Sequence, residues 1–168
     1  IVIFSNTFKD QICRLQMVFD RLQWAKLKLK PSKCSLFQRK VAFLGHTISA
    51  KGIEMQEEKI SAVVNWPVPR DLTDLLSFVR LCSYYRRFIS GFATIAAPLH
   101  VLTGKGVRFE WKEEQQHSFE QLKAKLTTSP VLAMPDNEGQ YILDTDASEI
   151  GLGAVLSQVQ NGVERVLA

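Results

Sequence analysis

Apolar residues recur at Ile12, Leu15, Val18, Phe19, Leu22 and Ala25, a spacing that lays one apolar stripe along a helix. The pattern predicts a helix from Phe8 to about Leu27, with Asn6 or Thr7 able to cap it. Ahead of it, residues 1–5 read as a buried strand. After it, Lys26, Lys28 and Lys30 alternate with Leu27 and Leu29 until Pro31 stops the segment. Residues 34–37 and 41–49 read as two strands joined by the polar turn Gln38-Arg39-Lys40. Ala50-Lys51-Gly52 supplies the turn that closes the pair.

The middle of the chain has a helical pattern. A helix from Glu57 to Trp66 ends at Pro67 and Pro69, because proline lacks the donor and crowds the preceding turn. Asp71 or Thr73 caps the next, which runs through Leu75, Phe78, Val79 and Cys82. A further apolar-aromatic run, 84–102, is broken by Pro98 and closed by Gly104. Beyond Trp111, a helix from about Glu113 to Leu126 sets Phe119, Leu122 and Leu126 on one face, with Ser129-Pro130 as its stop. Pro135-Asp136-Asn137-Glu138-Gly139 then turns the chain into the apolar stretch Tyr141–Ser148, which delivers Asp146 at its end. Residues 151–158 and 163–168 read as the strands that follow. A loose boundary falls at 104–108, and there are no internal repeats.

Composition narrows the class. At 168 residues, 46% hydrophobic and 23% charged, the chain has the balance of a globular protein rather than a disordered one. No apolar run approaches the ~20 residues of a membrane span, and no signal peptide is visible. Cys13, Cys34 and Cys82 are odd in number, far apart and without zinc-ligand spacing, which points to a reducing intracellular setting. Charge is unevenly spread. Residues 1–51 carry ten Lys and Arg against two acids, a net of +8; residues 52–108 carry +2, and residues 109–168 carry −6. A basic front suits a polyanion and an acidic rear suits metal cations. Both ends fall inside β-like runs and the first residue is not Met, so both are expected to be cut.

Four blocks in one order carry a resemblance. They are Leu27-Lys28-Leu29-Lys30-Pro31-Ser32-Lys33-Cys34, Phe43-Leu44-Gly45-His46-Thr47-Ile48-Ser49, Tyr84-Tyr85-Arg86-Arg87-Phe88-Ile89 and Thr145-Asp146-Ala147-Ser148. Trp66-Pro67-Val68-Pro69, Pro98-Leu99 and Pro130-Val131-Leu132 fall between them as expected. Over essentially its whole length the chain resembles the polymerase-to-ribonuclease H region of gypsy-type long-terminal-repeat retrotransposons. The resemblance implies an α+β fold in four parts: a palm end with a primer-grip-like hairpin (1–55), a helical thumb (56–104), a connection (105–130) and the start of a ribonuclease H-like mixed sheet (131–168). It implies RNA-directed DNA synthesis coupled to cleavage of RNA in RNA–DNA hybrids, with Mg2+ as the ion of the complete enzyme. Its partners would be an RNA–DNA hybrid or primer–template duplex and the remainder of the polyprotein, in the cytoplasm or a retroelement particle and not at a membrane. The Tyr-x-Asp-Asp aspartates of such polymerases would lie just before Ile1, and the later ribonuclease H ligands beyond Ala168. The chain alone is therefore expected to be catalytically silent.

The same resemblance assigns roles. Asp146 matches the first ribonuclease H carboxylate, a catalytic and metal-binding position; the plain alternative is a strand-end aspartate. Asp144, two residues away, faces the same side of an extended strand. Gly45 and His46 fall in the primer grip, where glycine lets backbone approach a sugar-phosphate, while Phe43 and Leu44 are expected in the sheet core. His46 either touches phosphate or is a satisfied, half-buried histidine. His100 and His117 are expected to be structural or exposed. Lys28, Lys30 and Lys33 in the basic stretch, and Arg86 and Arg87 in the thumb, are candidates for phosphate contact, against a reading as solvated charges. Tyr85, Phe88 and Ile89 are expected to pack inward, Trp66 and Trp111 to anchor the core, and Cys34 to be buried. Two positions depart from the family: Arg80 where glycine is usual, which must reach outward, and Lys112 in place of a capping threonine. A non-catalytic duplex-binding module and an unstable retroelement remnant are the alternative readings.

Overall fold

A computed structural model describes residues 1–128, 130–136, 138–148 and 151–168. Ser129, read as part of a helix stop, and Asn137, read as part of a turn, lie outside the described residues. The fold is α+β: helices pack in the middle of the chain, with one antiparallel sheet before them and another after.

Helix α1 (Phe8–Trp24) starts where Thr7 accepts the Asp10 N–H at 3.1 Å. Its apolar stripe is little used, since Leu15 is its one buried residue. Residues 1–5 are not a strand. Gln11 Nε2 and Arg14 Nη1 from α1 donate to the Ile3 and Phe4 carbonyls, taking acceptors that a neighbouring strand would need. Residues 34–37 are not a strand either: they follow a short 3₁₀ turn at Pro31–Lys33, and Phe37 has φ 55°, which no strand tolerates. Cys34 is accordingly exposed, its thiol donating to the Lys30 carbonyl.

The expected strand 41–49 is a hairpin. β1 (Lys40–Phe43) and β2 (His46–Ser49) pair antiparallel with Phe43 opposite His46. Leu44 and Gly45 form the two-residue turn, both at positive φ (46° and 74°), as a primed turn requires. Leu44 is therefore exposed at the tip rather than in a sheet core, and Phe43 is half-buried. A third strand, β3 (Gly52–Met55), pairs with β2 and was hidden by its short, mixed sequence.

Four helices follow: α2 (Glu57–Val64), α3 (Leu72–Tyr84), α4 (Phe92–Val101) and α5 (Glu113–Thr127). Asp71 caps α3 by accepting the Asp74 N–H at 2.8 Å. The break in the run 84–102 is not at Pro98. It falls at the 3₁₀ turn Arg86–Phe88 and at Gly91, whose φ of 72° starts α4. Pro98 lies inside α4, and α5 supports that stretch: Gln115 Nε2 donates to the Pro98 carbonyl at 3.2 Å, and the buried Ser118 hydroxyl donates to the Ile95 carbonyl. Lys112 has no acceptor to offer the start of α5; instead Gln115 Oε1 accepts the Lys112 N–H.

One core joins these helices. Phe78 tilts against Phe119 at 4.6 Å and against Trp66 at 5.8 Å, and Trp111 meets Phe119 at 6.0 Å. Leu75, Leu99, Leu122 and Leu126 are completely buried around them, each contributing about 1.5–3 kcal/mol of burial free energy. Arg80 points to solvent from α3.

The second sheet has the order β4-β5-β6: β4 (Tyr141–Ser148), β5 (Gly151–Gln160) and β6 (Val163–Val166), all antiparallel. Two consecutive residues tie it to the first sheet. Leu132 exchanges backbone bonds with Ile53 (2.8 and 3.0 Å), and the Ala133 N–H donates to the Val166 carbonyl. Gly52 is needed there, because a Cβ would lie 2.2 Å from the Leu132 oxygen. Buried Gln158 fixes the approach to β4 through Asp136 and Glu138. No helix among the described residues is long and apolar enough to cross a membrane.

Candidate nucleic-acid interface

The hairpin tip and the end of α3 meet, although 40 residues separate them in sequence. Tyr84 Oη donates to the Leu44 carbonyl at 2.6 Å, and Tyr85 Oη donates to the Gly45 carbonyl at 2.8 Å. A Cβ on Gly45 would sit 2.7 Å from the Tyr85 oxygen, so glycine serves both the positive φ and the close approach. Tyr85, Phe88 and Ile89 are buried, whereas Arg86 and Arg87 are exposed on the 3₁₀ turn between them. The fold thus brings Gly45 and His46 together with Arg86 and Arg87 on one surface.

His46 lies inside an aromatic enclosure. Its ring stacks on Phe88 (5.7 Å, 24°), lies edge-on to Tyr85 (5.3 Å) and tilts against Tyr84 (5.5 Å). Nδ1 lies 2.8 Å from the Leu44 carbonyl, while Nε2 is buried without a partner. Burial pushes the imidazole below its usual value; the Leu44 carbonyl opposes this and the Arg87 guanidinium adds to it. The ring is therefore neutral, with Nδ1–H as donor, and it acts as a packing piece of the tip rather than an outward phosphate donor. Burial, and then Tyr84, raise the Tyr85 phenol, so it stays protonated and donating. The Arg87 guanidinium lies 5.4 Å over the Phe88 ring.

Lys28, Lys30 and Lys33 are exposed on the segment after α1. His100 and His117 are exposed, the latter 2.8 Å from Gln121 Nε2.

Asp146 stands near the end of β4 opposite Gly153, and Asp144 stands opposite Val155; both are exposed and share one face of the strand. Gly153 offers no side chain, which leaves the space across from Asp146 open. Among the described residues, no group of three His, Cys, Asp or Glu could hold a metal ion. Two carboxylates on one strand do not make a two-metal site.

Two functional features escaped the sequence. Tyr84 and Tyr85 read as an aromatic pair beside arginines, with nothing local to show that their hydroxyls reach a turn 40 residues away. Gly153 was legible only as a small residue in a β run.

An α+β chain with a grip-like hairpin seated on a helix end, followed by a three-stranded antiparallel sheet, has the layout of a reverse transcriptase region running into an RNase H-like domain. Residues 111–168 match the family described as the RNase H-like domain found in reverse transcriptase. Over 96% of its length the chain is 39% identical to a retrovirus-related Pol polyprotein from transposon 412 of Drosophila melanogaster, and over 94% it is 34% identical to the transposon Tf2-3 polyprotein of Schizosaccharomyces pombe. It spans 13% and 12% of those relatives. Among solved structures, it superposes on the foamy viral protease-reverse transcriptase in complex with RNA/DNA hybrid with a TM-score of 0.79 at 25% identity. That match covers 99% of this chain and 23% of the other. The same viral protein with dRH, in complex with ds DNA, also gives 0.79, with 29% of that chain covered. The similarity is thus to one stretch of retrotransposon Pol polyproteins, with an RNase H-like domain in its last third.

Proposed function

We propose that this chain is the nucleic-acid-holding region of a gypsy-type retroelement reverse transcriptase and ribonuclease H. Residues 1–55 serve as the palm end and grip, 56–104 as the thumb, 105–130 as the connection and 131–168 as the start of the ribonuclease H domain. One observation carries the reading: the Gly45 turn and the Arg86-Arg87 turn are joined into one surface by the two tyrosine hydroxyls. Duplex phosphates meet the two guanidinium groups there, with Lys28, Lys30 and Lys33 extending the positive field over the basic front of the chain. The solved relatives that share the fold were captured with RNA/DNA hybrid and with ds DNA, which supports the same class of ligand.

In the complete enzyme Asp146 contributes one carboxylate to a Mg2+ site. This chain by itself holds duplex without cutting it. The test is binding to a labelled RNA–DNA hybrid across a salt series, with magnesium present and cleavage followed in the same samples. Salt-sensitive binding without cleavage is the expected result. No binding at low salt removes the nucleic-acid reading, and cleavage abolished by Asp146→Asn shows that the chain assembles a working metal site.

A further inference from the structure

We infer that Tyr84 and Tyr85 are positioning residues, whose hydroxyls hold the turn of Leu44 and Gly45 by its two carbonyl oxygens and so fix the hairpin tip against the Arg86-Arg87 turn. The inference rests on the nucleic-acid reading of that surface and adds to it the device that gives the surface its shape.

The carbonyls at the tip lie outside the β1–β2 ladder, which closes at the pair Phe43 and His46. Each has one other donor, His46 Nδ1 at 2.8 Å from the Leu44 oxygen and the Gln56 N–H at 3.4 Å from the Gly45 oxygen, and the phenols add a second bond to each from outside the sheet. Here consecutive phenols at the end of one helix reach consecutive carbonyls of one turn, a two-point attachment that stops the tip from pivoting. Tyr85 is 1% exposed, so its hydroxyl is held by the core and cannot follow the turn if the turn moves. Gly45 leaves no room between them, at 2.7 Å from a built Cβ to the phenol oxygen. The ring of His46 fills the space beneath the turn against Tyr84, Tyr85 and Phe88. A core tyrosine that merely needed an acceptor would explain one of these bonds. It would not explain Tyr84, which is 53% exposed, could bond to water at no loss, and nevertheless reaches the adjacent carbonyl. Arg86 and Arg87 follow directly in sequence, so whatever fixes the tip to the tyrosines also fixes it to the guanidinium pair.

The experiment compares the chain with its Tyr84→Phe/Tyr85→Phe variant, which keeps both rings and therefore the packing. Amide hydrogen exchange is read over the hairpin, and affinity is read for a labelled RNA–DNA hybrid across a salt series. Hairpin amides should exchange faster in the variant, and hybrid affinity should fall about tenfold, as expected for two lost hydrogen bonds. The salt slope should not change, because the arginines still neutralise the same phosphates. Leu122→Val, a core change in α5, controls for general loosening: it lowers the thermal midpoint without weakening hybrid binding. Unchanged hairpin exchange and unchanged affinity in the tyrosine variant would overturn the positioning role. Absence of hybrid binding by the unsubstituted chain removes the nucleic-acid reading instead, and the exchange comparison still decides whether the tyrosines hold the turn.

Discussion

The surface around the hairpin tip and the surface around Asp146 are built on opposite plans. At the tip, chemistry-bearing residues from two distant segments are locked by tyrosine hydroxyls and aromatic packing, with the buried core of α2–α5 directly behind them. On the β4–β6 sheet, Asp144 and Asp146 lie on a single strand, and Tyr141, Leu143 and Leu152 are more than half exposed on the opposite face. The first site needs only contacts already present within the chain. The second has two carboxylates on one face of one strand and an uncovered apolar surface on the other face of the sheet.

Removing the support behind the first site should have the largest effect. Phe78→Ala takes a ring from between Trp66 and Phe119 at a position with no solvent exposure, and should cost about 3–5 kcal/mol. Denaturant unfolding followed by tryptophan emission measures it; a loss under 1 kcal/mol would mean that α3 and α5 do not share one core. Next comes the charge on the tip. Replacing Arg86 and Arg87 by alanine should leave the thermal midpoint nearly unchanged, because both are exposed, while lowering the salt slope of hybrid binding by about 2. An unchanged slope would move the phosphate contacts elsewhere, first to Lys28, Lys30 and Lys33.

How much of this was legible in the sequence differs by region. Helical periodicity gave α1, α2, α3 and α5, and narrowed the caps of α1 and α3 to Asn6 or Thr7 and to Asp71 or Thr73, of which Thr7 and Asp71 serve, because capping and amphipathic spacing are local. The three strands after Gly139 were legible for the same reason. The hairpin was expected from the resemblance, but periodicity misplaced its turn: 41–49 reads as one apolar run, and only the φ values of Leu44 and Gly45 show that it reverses there. Pro98 looked like a helix end because the compensating bonds come from α5, which a local reading cannot see. The expected burial of Cys34 and Leu44 likewise followed from strand assignments that Phe37 and Gly45 undo, and both are exposed. For the site, the residues could be named in advance, but their association could not. Nothing local distinguishes a tyrosine that packs from one whose hydroxyl travels to another motif.

A smaller effect is expected from pH. His46 is neutral in the folded tip, with its pKa held below 6.5 chiefly by burial, whereas in the unfolded chain it takes up a proton near 6.5. The unfolded state then binds more protons on the acid side, so the stabilisation is complete above about pH 6.5 and declines as pH falls from there toward the folded value. Hairpin amide protection measured from neutral to mildly acid pH should decrease, and His46→Gln should flatten that part of the profile. An identical profile in the variant would transfer the effect to another group.

The smallest effect belongs to Asp146, and it makes the comparison sharpest. Asp146 is exposed, faces Gly153 across the sheet and has Asp144 as its like-charged neighbour on the same face. Asp146→Asn removes one of two adjacent negative charges and keeps the shape, so stability should stay within about 0.5 kcal/mol of the original. Hybrid binding by this chain should also persist, because the phosphate contacts are assigned to the tip and the basic segment rather than to β4. Thermal unfolding and hybrid titration of the variant check both statements. If Asp146→Asn weakened binding as much as loss of Arg86 and Arg87, the two surfaces would be one site, and the carboxylate would already be engaging duplex through a bound cation.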